Sequence, residues 1–333
     1  MSMAKRKFMS EFGVSLNSNR WLMVSAGELA SDGDMSVEAS NIARACHIYL
    51  ICRRPTLSFS PKISFDGNGI KGELVYRIAG TPTVKPFFLP FKLEDAAIGV
   101  RVTPYPHRKI ESYTKNDEVV RFIPAELLVF AGIVEDKRLL NHEVLYVGQA
   151  YAKGRRSALD RLKSHSTLQK ILAVMQTNYP DDEAIILTFE YNQYRAFISF
   201  DGNDTEAIRD NRDTSRIQNI LKSPLTTHQQ ICLAEAGLIR YFKPKYNEIY
   251  KDSFPASDQK ILHDCYKLDF SALIVEINTE ELRVRLYSDS VSPSEHHIAK
   301  FTLINEEARR SFFTFLDRDG TSFSILGVIP RTR

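Results

Sequence analysis

Residues 143–150 read EVLYVGQA, an apolar and aromatic run that predicts a strand with Tyr146-Val147-Gly148 near its end. A helix is expected over about 157–175, and it holds Arg161 and His165, four residues apart and so on one face. The strand EAIILTFEY (183–191) follows, then a helix over about 227–242 that Pro244 ends. Upstream, ELLVFAGIV (126–134) reads as a strand. The segment EDKRLLNH between it and EVLYVGQA suits a wide hairpin. The order over 125–255 is thus strand–strand–helix–strand–helix. A polar stretch between Asn192 and Ser223 reads as an insertion with one short hairpin or helix.

Outward from this centre, residues 1–124 read as an N-terminal α/β module. Met35 to Ile51 has helical character, with Ile42, Ala45, Cys46 and Tyr49 at three- and four-residue spacing. Strands are expected around 57–65, 70–78 and 98–103, and a loop from Thr103 to Asp117, where Pro104 and Pro106 fall. Residues 256–333 read as a C-terminal β-rich module, with strands near 269–277, 282–288, 297–302 and 322–328 and a helix near 304–316. The fold class expected is α+β, in three modules.

At 43% hydrophobic and 26% charged residues the composition is that of a globular chain, which excludes fibrous and disordered classes. No apolar run has the length of a membrane span. The basic segment 1–20 lacks the continuous apolar core of a signal peptide, so a cytoplasmic location and no membrane partner are expected. Cys46, Cys52, Cys232 and Cys265 form no disulfide scaffold, and His263-Asp264-Cys265 has no second half at zinc-site spacing. The net charge of +3 is too balanced to imply nucleic-acid binding. Locally, Lys153, Arg155, Arg156, Arg161, Lys163 and Lys170 face only Asp160, a charge of +5 directly after Tyr146-Val147-Gly148. Alone such a run is a solvated helix face; beside a phosphodiester site it is a phosphate-contacting patch.

Glu235 carries the most direct argument for chemistry. The 227–242 helix has an apolar stripe of Ile231, Leu238, Ile239 and Phe242, and Glu235 sits four residues from both Ile231 and Ile239. A carboxylate on that stripe is costly to bury unless it is paired or holds a metal. From the helix alone, Glu235 is equally a partner in a buried Glu–Arg pair or an edge residue reaching water.

Taken together, Tyr146-Val147-Gly148, Arg161 with His165, Glu235 in ExxLI, Pro244 and Asn247 resemble the GIY-YIG nuclease superfamily. The resemblance covers roughly 130 of the 333 residues. It implies a small antiparallel sheet flanked by helices, and a DNA endonuclease that uses one divalent cation, Mg²⁺ or Mn²⁺. Glu235 then matches the metal ligand, Arg161 the group that steadies charge on the phosphate, Tyr146 and His165 the proton-handling groups. Gly148 allows close backbone approach and Asn247 fixes a loop. Lys153, Arg155, Arg156 and Lys163 become DNA contacts. One departure stands out: the first motif should end in tyrosine, and in ELLVFAGIV neither Phe130 nor Val134 carries a hydroxyl. Water activation then falls to Tyr146, His165 or Lys153. Two other readings follow: a catalytically weak DNA-binding protein that keeps the fold, and a scaffold whose flanking modules carry the function.

Overall fold

Ile48 to Cys52, expected at the end of a helix, forms a strand, and the layout of the molecule depends on it. The computed structural model describes residues 8–30, 36–151, 158–163, 165–202, 205, 207–208, 210–222, 224–255, 260–304, 309, 311–313 and 325–328. Strands β1 (Ser10–Asn17) and β2 (Trp21–Ser25) lead to helices α1 (Ala26–Ala30) and α2 (Val37–Ala45) and to β3 (Ile48–Pro55). Next come β4 (Ser58–Phe59), β5 (Ser64–Phe65), β6 (Gly69–Ile78), β7 (Thr81–Pro90), β8 (Gly99–Val102), β9 (Lys109–Tyr113), β10 (Val119–Pro124) and α3 (Glu126–Phe130). Then follow β11 (Asn141–Gln149), α4 (Ala158–Leu162), α5 (Ser166–Asn178), β12 (Asp182–Phe189), β13 (Tyr194–Phe200), α6 (Arg212–Lys222) and α7 (Thr227–Phe242). After these are α8 (His263–Lys267), β14 (Ala272–Asn278), β15 (Arg285–Ser288), β16 (Val291–Ser294), β17 (His296–Thr302) and β18 (Ile325–Val328). The described residues form a mixed α and β fold, rich in strands.

The sheet that positions the site runs β16-β15-β11-β3-β12-β2. Strand β3 lies antiparallel to both β11 and β12. Its run Ile-Tyr-Leu-Ile-Cys is fully buried on both faces, as a central strand must be and a one-striped helix is not. Ile48, Leu50 and Cys52 enter the largest core, while Tyr49 and Ile51 enter a separate core under α4 and α5. The helix before it, α2, stops at Ala45, one turn earlier than its periodicity suggests.

The expected boundary at 124/125 therefore does not separate the sheets. Strand β3 belongs beside β11, and the residues between them build an inserted β module with its own core of Leu57, Phe59, Ile70, Leu74, Phe87 and Ile110. The expected loop at 103–117 contains β9, which pairs with β8 and β10. Three prolines, Pro82, Pro86 and Pro90, fall four residues apart on β7, which among the described strands pairs only with β6. All three missing N–H groups thus lie on its open edge, where they block further strand pairing.

ELLVFAGIV is not a strand. Residues 126–130 form α3, which buries Leu128 and Val129 and ends where Gly132 takes φ +72° and Ile133 N–H returns to Leu128 O. A short apolar run carries no period of its own, so the packing partner decides between helix and strand. The expected boundary at 255/256 is also crossed: β15 extends the β11 sheet, whereas β14, β17 and β18 join β1 and β13 in a second sheet, β17-β14-β1-β13-β18. Most of the helix expected near 304–316 lies outside the described residues.

Helix α7 runs between the two sheets and is buried nearly all round. A capping box of Thr226 and Gln229 starts it, and Lys243 in the left-handed region, followed by Pro244, ends it. Gly237 brings it close to the second sheet, since a Cβ there would stand 2.6 Å from Val275 Cγ2. Among the described residues no helix is long and apolar enough to cross a membrane.

Candidate active site

Strand β15 pairs with β11 only over residues 141–143, so the far half of β11 has an open edge. Two segments occupy that edge. Tyr246 N–H donates to Leu145 O at 3.0 Å. Asn247 then acts as a two-sided clamp, accepting from Val147 N–H at 2.9 Å and donating from Nδ2 to Val147 O at 2.8 Å. One parity step further, Gln149 N–H hydrogen-bonds the Glu235 carboxylate. The edge donors of one strand thus hold both the loop after α7 and the acid on α7. Asn247→Ala leaves the buried N–H and C=O of Val147 without partners, and a loss of about 2 kcal/mol or more is expected at 1–3 kcal/mol per group. Urea unfolding checks this; a loss under about 0.5 kcal/mol removes the clamp from the account.

A β-bulge between Val144 and Tyr146 sets what faces the site. Val144 and Val147 point into the main core, whereas Leu145 and Tyr146 share the opposite face, beside Tyr49. Strict alternation would have turned Tyr146 away; the extra residue re-aims it.

Tyr49 stands directly across from Gly148. A Cβ at Gly148 would lie 2.6 Å from the Tyr49 ring and hydroxyl and 2.7 Å from the Tyr146 ring, so glycine is what lets the two phenols sit over the strand. Gly148→Ala is expected to displace both rings, at a cost of about 1–3 kcal/mol for overpacking. Thermal or urea melts and the Tyr near-ultraviolet signal test this; an unchanged melt with unchanged signal contradicts it.

Around Tyr49 gather the other residues. Its ring lies 6.1 Å from that of Tyr146 and 5.8 Å from that of His165, and Tyr146 and His165 are 5.6 Å apart. The Tyr49 hydroxyl is 3.4 Å from His165 Nε2, and Arg161 hydrogen-bonds the same phenol. Arg161 and His165 do not share one helix: Arg161 is in the last turn of α4, and His165 is the residue just before α5. They meet because both reach Tyr49. Glu235 comes from α7 to line an open cleft of about 560 Å³ with Tyr146, Thr167, Lys170, Lys245 and Tyr246.

The electrostatics follow from burial. Burial pushes the Glu235 carboxyl up to about 7, against hydrogen bonds from Gln149 and the charge of Arg161. Burial, then the neighbouring Tyr146, holds the Tyr49 phenol well above its ordinary value. Burial, then Glu235, raises Tyr146. Burial, then Arg161, lowers His165, whose Nδ1 is buried without a hydrogen-bond partner among the described residues. The shift favours the neutral imidazole, the form that accepts a proton. Hydrogen bonding to Tyr49 raises Arg161 further.

Of the residues expected from sequence, Tyr146, Gly148, Arg161, His165, Glu235 and Asn247 come together. Lys163 is exposed on the short turn after α4. Lys153, Arg155 and Arg156 lie outside the described residues. Two residues were missed, Tyr49 and Gln149. A signal for Tyr49 existed in the strand-forming run Ile48–Cys52, but its partner strand lies beyond the inserted module. Among the described residues no three His, Cys, Asp or Glu side chains gather as a metal cluster. No protein-family model, no curated protein and no solved structure matches the chain.

Proposed function

We propose that the chain is a metal-dependent endonuclease of the GIY-YIG type that hydrolyses phosphodiester bonds in DNA. The observation that carries this is the convergence of Tyr49, Tyr146, Arg161, His165 and Glu235, drawn from separate elements, around the far half of β11. In this reading β3, β11 and β12 with α4, α5 and α7 are the GIY-YIG unit, and Tyr49 is the first-motif tyrosine that ELLVFAGIV lacks. The reading as a catalytically weak DNA-binding protein rested on that missing hydroxyl, which in this reading Tyr49 supplies.

A divalent cation fits this cleft. A carboxyl raised to about 7 needs a positive partner to stay ionised, and a lone carboxylate suits Mg²⁺ or Mn²⁺ holding several waters. Glu235 would hold it, oriented by Gln149. When bound, the cation supplies positive charge to the phosphate oxygens. The chain's own residues do the rest. Arg161, exposed beside Tyr49 and with its donors in a fixed fork, steadies the charge that builds on the phosphate as water attacks phosphorus. The attacking water gives its proton to the Tyr146–His165 pair, Tyr146 lining the cleft and neutral His165 accepting, while the buried Tyr49 hydroxyl hydrogen-bonds His165 Nε2. The sugar oxygen leaves and takes a proton from solvent. The inserted module and the second sheet are expected to choose among substrates, since a shallow cleft offers few base contacts.

The test is incubation of supercoiled plasmid with Mg²⁺ or Mn²⁺, and in parallel with EDTA. Nicked or linear product that EDTA abolishes is expected. Absence of product across both metals, or cutting undiminished in excess EDTA, overturns the reading.

A further inference from the structure

Past the end of β11, on the side of Glu235 away from the Asn247 loop, an aromatic pair stands beside the site that the proposed mechanism does not use. The Tyr151 ring stacks on His228, with centroids 5.2 Å apart and planes at 21°. His47 meets Tyr151 edge-on at 5.2 Å, and its Nδ1 lies 2.9 Å from Ala150 O. Tyr151 is half-buried against the main core, whereas His228, in the first turn of α7, is exposed. The imidazole is nonetheless pinned: its Nε2 lies 3.4 Å from Cys232 Sγ. Cys232 in turn contacts the Gln149 amide at 3.4 Å and 3.6 Å, and Gln149 hydrogen-bonds Glu235. His228, Cys232 and Glu235 fall at i, i+4 and i+7, on one face of α7.

We propose that His228 and Tyr151 form a stacking platform for an unpaired nucleobase of the substrate strand. A flat ring pair held in one orientation loses little freedom when a base settles on it, and stacking accepts any base. His228 and Glu235 are separated by about 10 Å along the helix axis, the span of about three stacked nucleotides. The platform thus takes a base near the phosphate held beside Glu235, and the substrates it favours are nucleic acids with an unstacked or single-stranded nucleotide close to the cut. Gln149 and Cys232 tie the platform to the acid, so base and phosphate are placed by one connected set of side chains. This inference rests on the nuclease reading.

The experiment uses the full chain and single-stranded and gapped DNA oligonucleotides carrying 2-aminopurine, in buffer with EDTA so that binding is read without cutting. Emission is expected to be quenched on binding to the wild type. His228→Ala and Tyr151→Ala should weaken binding by about 5- to 150-fold, the scale of losing one stacked base, and lift the quench. His228→Phe and Tyr151→Phe should restore both, which a merely structural role for the hydroxyl or imidazole does not predict. Because His228 is exposed, its variants report even if a Tyr151 variant is unstable. Unchanged affinity and quench in His228→Ala overturn the platform. Quenching that depends on His228 in a chain that cuts nothing with Mg²⁺ or Mn²⁺ sinks the nuclease reading and leaves the platform standing. Cutting with no dependence of quench on His228 sinks the platform alone, and absence of any DNA binding sinks both.

Discussion

Glu235→Gln is expected to lower cleavage by about 10³-fold or more, since a bound cation contributes several kcal/mol of charge stabilisation and each 1.4 kcal/mol is tenfold. The same substitution should leave the fold intact and, without metal, make it more stable at high pH. The reason is the sign of the pKa shift. The carboxyl is raised from 4.5 to about 7 in the folded chain, so the stability it permits is complete below pH 4.5 and is lost as pH rises through 7. Glutamine does not titrate. The variant should therefore match the wild type near pH 4.5 and exceed it above pH 7 by roughly 1–3 kcal/mol. Saturating Mg²⁺ should reverse this order by stabilising the wild type alone, about 2.7 kcal/mol at a hundredfold excess over Kd. Melts at pH 5 and 8, with and without Mg²⁺, read all of this. A variant that still cuts, or a wild type whose melt ignores Mg²⁺, removes Glu235 from the metal site.

Arg161→Ala is expected to cost about 10²–10³ in single-turnover rate, the scale of one preorganised donor, with a smaller effect on DNA affinity. It also carries a signature that a simple phosphate contact lacks. Arg161 pulls both Glu235 and His165 downward, and burial alone opposes it at Glu235. Removing the charge should raise both groups, so the acid limb of the pH–rate profile should move to higher pH. Loss of affinity with an unchanged rate at saturating enzyme, and an unmoved profile, make Arg161 a binding residue only. Arg161→Lys should not restore the rate fully, because an ammonium lacks the planar fork that reaches phenol and phosphate together.

What was legible in the sequence is what local chemistry decides. The limits of α7 follow from Thr226, Gln229 and Pro244, and they fall at 227–242 as expected because capping and proline act within a turn. The strand with Tyr146 and Gly148 was equally readable, and so was Glu235 as a carboxylate out of place on a buried helix. Alone, these residues name a candidate site but not its geometry.

The tertiary structure decided the rest, and in each case the cause is a contact distant in sequence. Tyr49 was read on a helix because Ile42, Ala45 and Cys46 carry a helical period into it; its strand becomes stable only between β11 and β12, across the whole inserted module. ELLVF had no period and took the helical form its neighbours in the inserted core accept. The orientation of Tyr146 depends on a bulge at Leu145 that no residue there announces, and Arg161 and His165 meet through Tyr49 instead of along one helix. Sequence determined which groups were available for chemistry, since their nature and local backbone are set within a few residues. Only the fold decided which of them meet, because pairing energy between strands is gained after the chain between them has closed its loop.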